Sequence, residues 1–379
     1  MCATKKLSEI CEIVNWWTPD TWNSSYWDGD ILWITPKDMW KLEDIYVSDT
    51  FRKITEQWLK NSSAKIFPQN SIILSSRAPI WHLAINTVPM CTNQGCKWLI
   101  PWNDLDAKYL YYFLLNSVDL LNSLWTGTTF KELSSTKLKE IQIPLPPLST
   151  QASIVERLDS AMVEIDEARR QTESALASAR EVWESTLENS VLSWEEKTLW
   201  EVCDLFQGLA INAKTKHLLV ENSKLPLLRI KDLRNNTVEQ YVSEIWYPKN
   251  ALITENDILY TRTGQIWLVF TWKHGVLHNN AFKVSPKAWL NKDFLFWFLQ
   301  APIFKNKIIY LATRAAQPDI THTLFKKQTI FLPSLPEQSR IVAHLDAVRA
   351  ETESLEKLYT EKLASLDELR RSVLAEAFS

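Results

Sequence analysis

The segment Ile143-Pro144-Leu145-Pro146-Pro147-Leu148, with Gln151, Ile154-Val155 and Leu158-Asp159 after it, returns 187 residues later. There it reads Ile330-Phe331-Leu332-Pro333-Ser334-Leu335, Gln338, Ile341-Val342 and Leu345-Asp346. Weaker echoes lie upstream: Leu7 to Cys11 matches Leu199 to Cys203, Lys37-Asp38 matches Lys231-Asp232, Arg77 and Ile80-Trp81 match Arg262 and Ile266-Trp267, and Asn93 and Lys97 match Asn279 and Lys283. A long internal repeat decides architecture before local propensity does. The chain therefore reads as one unit duplicated and diverged, in the order globular, helix, globular, helix.

Each proline-rich stop is followed by about 40 residues without Pro or Gly, the pattern of a long helix. In the second of these, Ile341, Val348, Leu355, Lys362 and Leu369 alternate with Leu345, Thr352, Tyr359, Leu366 and Val373 in a heptad seam. The first keeps the register with Ile154, Ala161, Ala168 and Ala175 against Leu158, Ile165, Thr172 and Ala179. Each helix is expected to reach about 60 Å at 1.5 Å per residue. A lone helix cannot bury such a stripe, so the expected partner is the other copy, antiparallel about a pseudo-two-fold axis. The alternative is that each helix folds onto its own globular domain.

The globular parts read as mixed α and β. Ser71 to Ser75 and Asp257 to Thr261 have the pattern of strands bounded by turn residues, whereas Leu105 to Leu121 and Asp293 to Leu299 read as helical. The division expected is a first domain at 1–148, a helix at 149–197, a second domain at 198–335 and a C-terminal helix at 336–379. The net charges of these segments are −1, −6, +7 and −3. The positive charge collects in the second domain, which is suited to tracking a phosphate backbone, while the acidic helices are suited to spacing or to protein contacts.

The whole chain has 379 residues and a net charge of only −3, which removes the simplest signature of a nucleic-acid binder, a strongly basic chain. Five cysteines, none in a Cys-x-x-Cys pair, exclude a disulfide scaffold and disfavour a structural zinc site. No apolar run spans a membrane and Met1 to Glu12 lacks the apolar core of a secretory signal, so a cytoplasmic protein is expected. Catalytic constellations are missing. Leu145-Pro146-Pro147-Leu148 lacks the leading amide or acid and the aromatic that hold a flipped adenine for methylation. Glu195-Glu196-Lys197 lies far from Pro19-Asp20, so it makes no metal-dependent nuclease site. His274 and His278 have zinc-ligand spacing, but Gly275 between them reads as a turn, and there is no phosphate-cradling Gly-rich loop. The expectation is a binding protein, not an enzyme, with no metal site of its own and any catalysis supplied by partners.

Two globular units, each ending in a proline-rich stop and then a Gln-x-x-Ile-Val helix, resemble the specificity subunit of type I restriction-modification systems over essentially the whole chain. Thr126-Gly127-Thr128-Thr129-Phe130 adds to the resemblance. The resemblance implies an α+β fold with two target-recognition domains, each reading half of a bipartite site in double-stranded DNA, alternating with two long helices that form an antiparallel coiled coil and set the spacing. It also implies two methylation subunits docked beside the helices and carrying S-adenosylmethionine, with restriction (motor-nuclease) subunits carrying ATP and Mg. The chain itself then needs no cofactor. A protein-interaction scaffold with duplicated lobes is the competing reading.

Direct readout of base edges calls for forked or amide side chains. The candidates on expected loops are Arg77, Asn93, Gln94 and Lys97 in the first domain and Arg262, Gln265, Asn279, Asn280 and Lys283 in the second. Thr128, Thr129 and Lys131, with Arg314 and Gln317 at the equivalent stretch, are candidates for phosphate or base contacts ahead of each helix. The seam candidates are Ile154, Leu158 and Ile165 with Ile341, Leu345, Val348, Leu355, Leu366, Leu369 and Val373. One departure from the family stands out in a chain with 19 Trp and 6 Gly: Trp81 and Trp267 stand where members usually have a small residue, and Trp16-Trp17 where two glycines are common. If those positions need positive φ, each indole costs about 1–3 kcal/mol.

Overall fold

Each repeat is closed by pairing its first strand with its proline-rich last one. In the computed structural model, which describes residues 3–14, 23–42, 44–62, 65–76, 82–126, 132–192, 194–271, 273–313 and 318–379, Thr4–Lys6 runs antiparallel to Gln142–Pro144. In the second repeat Glu196–Thr198 pairs in the same way with Thr329–Phe331. These are isolated two-stranded ladders, where a proline without an N–H is tolerated. The chain forms two compact units, Met1–Thr172 with Lys362–Ser379, and Glu173–Glu361.

The main sheets repeat in their first four strands, and the first adds a fifth at its edge. In the first unit the order is Cys11–Val14, Cys96–Pro101, Ile72–Ser75, Leu83–Asn86 and Tyr46–Val47; in the second it is Cys203–Gln207, Ala281–Pro286, Ile258–Thr261 and Val269–Phe270. The central strands are apolar on both faces, as Ile72, Ile73 and Leu74 show at 0% exposure. One face of the first sheet is covered by the helix Ala107–Asn116 and the equivalent face of the second by Lys292–Gln300. Cys11, Cys91, Cys96 and Cys203 are buried, and burial pushes their thiols up to about 12. They act as small apolar residues. Gly275–Leu277 is a strand, not the turn expected from its glycine; φ of +147° at Gly275 brings its backbone against Pro226, with no room for a Cβ.

The Gln-x-x-Ile-Val motif has a physical explanation. Gln151 and Gln338 are each 0% exposed, in the first turns of the helices Leu148–Ser190 and Leu335–Ala377. Gln151 Oε1 accepts from the Asp106 N–H (2.9 Å), and its Nε2 donates to the Asp104 and Pro146 carbonyls (2.8 Å each). Gln338 repeats the set with the Asn291 N–H (2.7 Å) and the Trp289 and Pro333 carbonyls (3.1 and 2.8 Å). A single amide thus satisfies backbone groups of the proline-rich stop and of the loop before the covering helix, where bulk water cannot reach. Two turns further on, Asp159 accepts from Tyr112 Oη (2.6 Å) and Asp346 from Trp297 Nε1 (2.9 Å), clasping the covering helix in both units.

Within each unit two helical segments run antiparallel. In the first, Asp166 pairs with Arg370 and Arg169 with Asp367; in the second, Arg180 lies 3.7 Å from Glu356 and the Arg349 guanidinium stacks over Trp183. Each core takes one end of both helices. Leu158, Met162 and Leu374 belong to the first core, with Phe378 against Tyr109 and Phe113, and Leu187, Val191, Ile341 and Leu345 belong to the second. Of the expected seam, Leu158, Ile165, Ile341 and Leu345 are buried, and Ile154, Val348, Leu355, Leu366 and Val373 are partly buried. Leu369 is a correction: it is 48% exposed, as Lys362 is exposed, while Leu363, Arg370 and Leu374 turn inward. An α-helix of 3.6 residues per turn drifts out of a strict seven-residue repeat, and the buried stripe follows the helix. Among the described residues no helix is long and apolar enough to cross a membrane.

Trp267 has φ of +88°, in the left-handed region that favours glycine. The backbone strain expected at this position is therefore real, whereas Trp16, Trp17 and Trp81 lie outside the described residues. Asp257, 5% exposed, accepts from Ser285 Oγ (2.6 Å) and from the Thr254 N–H and Oγ1 (2.9 Å each), with Lys283 Nζ at 3.2 Å. Burial alone would raise its carboxyl, but these hydrogen bonds and Lys283 hold it below the usual carboxylate value.

Three outcomes follow. Gln338→Leu strands an N–H and two carbonyls and is expected to cost about 2–4 kcal/mol in denaturant unfolding, with Gln151→Leu similar; a cost below about 0.5 kcal/mol for both would remove the anchoring role. Trp267→Gly is expected to raise the unfolding midpoint, the relief of about 1–3 kcal/mol of strain exceeding the lost contacts of a partly buried indole; an unchanged or lower midpoint contradicts this. Asp257→Asn should destabilise at pH 7. Because a depressed carboxylate contributes stability above about pH 3.9 and loses it as pH falls through its lower folded value, the deficit should shrink in acid; a deficit that grows below pH 4 would contradict the assignment.

Candidate nucleic-acid interface

The Lys-Asp echo builds the same corner in each unit. In the first, Trp27–Ile34 leads into the short helix Pro36–Met39, and Asp38 turns back to accept from the Thr35 N–H (2.8 Å) and Oγ1 (2.6 Å). In the second, Leu227–Leu228 leads into Ile230–Asn235, and Asp232, 3% exposed, takes the Arg229 guanidinium through Nε (2.6 Å) and Nη2 (3.0 Å). The adjacent Lys37 and Lys231 are exposed, Lys231 in an ion pair with Glu239 (2.5 Å). The strand entering the helix lies parallel to the strand that ends just before the asparagines: Ile34 is paired with Thr92, and Leu228 with Leu277. This pairing puts Asn93 beside Lys37, and Asn280 beside Lys231.

The result is a cleft beside the repeated short helix in each unit. The first, about 370 Å³, is lined by Trp33, Thr35, Lys37, Phe51, Arg52 and Asn93. The second, about 420 Å³, is lined by Lys231, Arg234, Asn235, Thr263, Gln265 and Asn280. Its floor includes Gly264, which has φ of +70° and nothing within 4 Å of where a Cβ would stand, so the turn backbone is open to the cleft. Arg234 and Gln265 are exposed, and among the described residues the Gln265 and Asn280 amides make no hydrogen bond through their side chains. The two clefts share the Lys-Asp helix but not a chemistry: the first is walled by Trp33 and the 86%-exposed Phe51, and the second by amides and cations.

The structure sorts the residues singled out from sequence. Asn93, Gln265 and Asn280 line the clefts, with Asn93 Oδ1 also accepting from the Gly95 N–H (3.0 Å). Gln94 and Asn279 are partly exposed neighbours whose backbones bond to Ser76 Oγ and the Leu209 carbonyl. Lys97 is a correction, being 1% exposed within the strand Cys96–Pro101. Lys283 is another: it sits in a central strand, donates to the Leu252 carbonyl (2.7 Å) and pairs with Asp257. Both had been placed on loops, but strand alternation and sheet packing turn them inward. Arg262 is held by Asp319 through Nε (3.1 Å) and Nη2 (2.7 and 2.9 Å). Arg77, Thr128, Thr129, Lys131, Arg314 and Gln317 lie outside the described residues.

Sequence reasoning missed Lys37, Arg52, Lys231, Arg234 and Thr263 as cleft residues. The Lys-Asp echo was the available signal for the two lysines; nothing local marks Arg52 or Arg234. His278 follows the strand Gly275–Leu277, and burial with the nearby Arg229 lowers its imidazole below the usual value. No cluster of three or more His, Cys, Asp or Glu placed to hold a metal occurs among the described residues. The clefts can recognise a ligand by hydrogen bonds and charge.

The model of the type I restriction modification DNA specificity domain matches twice, over residues 2–173 and 192–363. The MjaIX specificity subunit of a type I restriction enzyme from Methanocaldococcus jannaschii is 30% identical over 360 residues, covering 88% of this chain and 83% of that protein. The EcoR124I/EcoR124II specificity subunit of Escherichia coli is 34% identical over 162 residues, 41% of this chain and 39% of that one. Among solved structures, a chain from a study of complex assembly and conformational transition of the type I R-M system superposes with a TM-score of 0.80 at 20% identity, covering 99% of this chain and 97% of that one. The HsdS subunit from Thermoanaerobacter tengcongensis gives 0.61 at 19% identity, with 99% and 96% covered. A duplicated α+β unit with a long helix after each copy, matched by the family model in both copies, makes this chain a member of the type I restriction-modification DNA specificity family.

Proposed function

We propose that this chain is the non-catalytic specificity subunit of a type I restriction-modification complex, and that each cleft reads one half of a bipartite target in double-stranded DNA. The observation that carries the reading is that each repeat has a cleft beside its Lys-Asp helix, and that the two are lined by different side chains. Duplication supplies two readers, and divergence within the clefts lets them read different bases. Amides at Gln265 and Asn280 suit adenine edges and Arg234 suits guanine or phosphate, while Lys37, Lys231 and Arg52 supply phosphate contacts. The helices set the separation and dock two methylation subunits. S-adenosylmethionine is bound by those subunits, and ATP and Mg by restriction subunits that join the assembly.

Co-expression with the cognate methylation subunit in a methylation-free host, followed by single-molecule mapping of N6-methyladenine, is expected to give two short specified halves around a fixed gap. Asn280→Ala is expected to relax one half only, by about 1–3 kcal/mol of discrimination at a single base pair. Arg234→Ala weakens binding more uniformly if it meets phosphate, reducing the salt slope by about 1. A complex that forms and methylates a continuous, undivided motif would refute the two-reader model.

A further inference from the structure

Arg262 is the obvious forked side chain beside the second cleft, yet the geometry gives its fork to the protein. Nε and Nη2 face both oxygens of Asp319 at 2.7 to 3.1 Å, the guanidinium lies 5.5 Å from the centre of the Phe282 ring, and its side chain is only 14% exposed. A guanidinium edge held by a carboxylate is not available to the O6 and N7 of guanine.

The backbone of the same residue ties together two segments that line the cleft and a third packed behind them. The Arg262 N–H donates to the Asn280 carbonyl (2.9 Å), the Ile320 N–H donates to the Arg262 carbonyl (3.1 Å), and Thr263 bridges to Asp319. The turn that follows is closed by Thr261, whose Oγ1 donates to the Gln265 carbonyl (2.5 Å) and accepts from the Leu268 N–H (3.0 Å). Gln265 and Asn280, two of the amides lining the cleft, thus hang from backbone on either side of one ion pair.

We infer that Arg262 and Asp319 form a positioning fork that sets sequence preference in the second half of the target without either residue touching DNA. The inference rests on the reading of the second cleft as a base reader. Arg262 fixes the separation of the Gln265 and Asn280 amides, and Asp319 holds Arg262. A carboxylate this close to a phosphate backbone would oppose binding if its charge were not spent on the guanidinium.

The test uses the assembled methylation complex carrying Arg262→Ala, Asp319→Ala or both, with methylation at target sites substituted one base at a time as the readout. Each single variant is expected to lose about tenfold discrimination in the second half, the scale of one lost bidentate contact, with the first half still specified. The double variant should be no worse than either single one, because both remove the same coupled unit. If Asp319→Ala leaves the second half intact or tightens binding while Arg262→Ala erases one base preference, Arg262 reads DNA directly and the fork is overturned. Should an alanine variant fail to assemble, Asp319→Asn carries the test: partial loosening confined to the second half supports the fork, and an unchanged half overturns it. Gln265→Ala and Asn280→Ala separate this inference from the one beneath it. If neither alters either half, the cleft reading fails; if they do and Asp319→Ala does not, only the fork fails.

Discussion

A buried amide at the foot of each long helix is the interaction on which the rest of each repeat depends. Gln151 and Gln338 join the proline-rich stop to the loop ahead of the covering helix, through three hydrogen bonds each. Prolines in the stop give up backbone donors and stiffen the chain, and the carbonyls left over need a partner inside the fold. Glutamine fits because one side chain carries both an acceptor and two donors; Glu at this position would lack the donors and bring a buried charge. The direction of a 43-residue helix is set at its first turns, so an error at the foot grows along its length.

The charged residues divide into two populations, and the division explains how a chain with a net charge near zero presents cations where they are useful. Asp38, Asp232, Asp257 and Asp319 are spent inside the protein on caps and on Arg229, Lys283 and Arg262. Lys37 and Arg234 remain exposed at the clefts. The aspartate of each Lys-Asp pair fixes the short helix that carries its lysine, through Thr35 in the first repeat and Arg229 in the second. Duplicated positions have kept this device while the rest of the cleft wall has changed.

Much of the fold was legible because the repeat is carried by residues whose roles are backbone-directed. The glutamine, the prolines and the Ile-Val pair recur because the same ladder and the same helix start recur. Trp267 was legible in the opposite sense, as a residue in conflict with its place: a bulky side chain stands where φ is +88°. The site was less legible. Lys97 and Lys283 have the composition of surface readers, and only strand register reveals that they point into the sheets. Arg262 has the right chemistry for guanine, and only the approach of Asp319 across 57 residues shows where that chemistry is spent.

By itself the sequence determined the duplication, the order of globular and helical segments, and the family. These properties are periodic or local, and survive in a one-dimensional pattern. Only the tertiary structure decided which cations are buried, that Leu369 leaves the seam, and that Gln265, Asn280, Lys231 and Arg234 share one cleft. Those outcomes depend on strand register, on helix drift and on contacts between residues far apart in the chain, quantities that neighbouring residues do not encode.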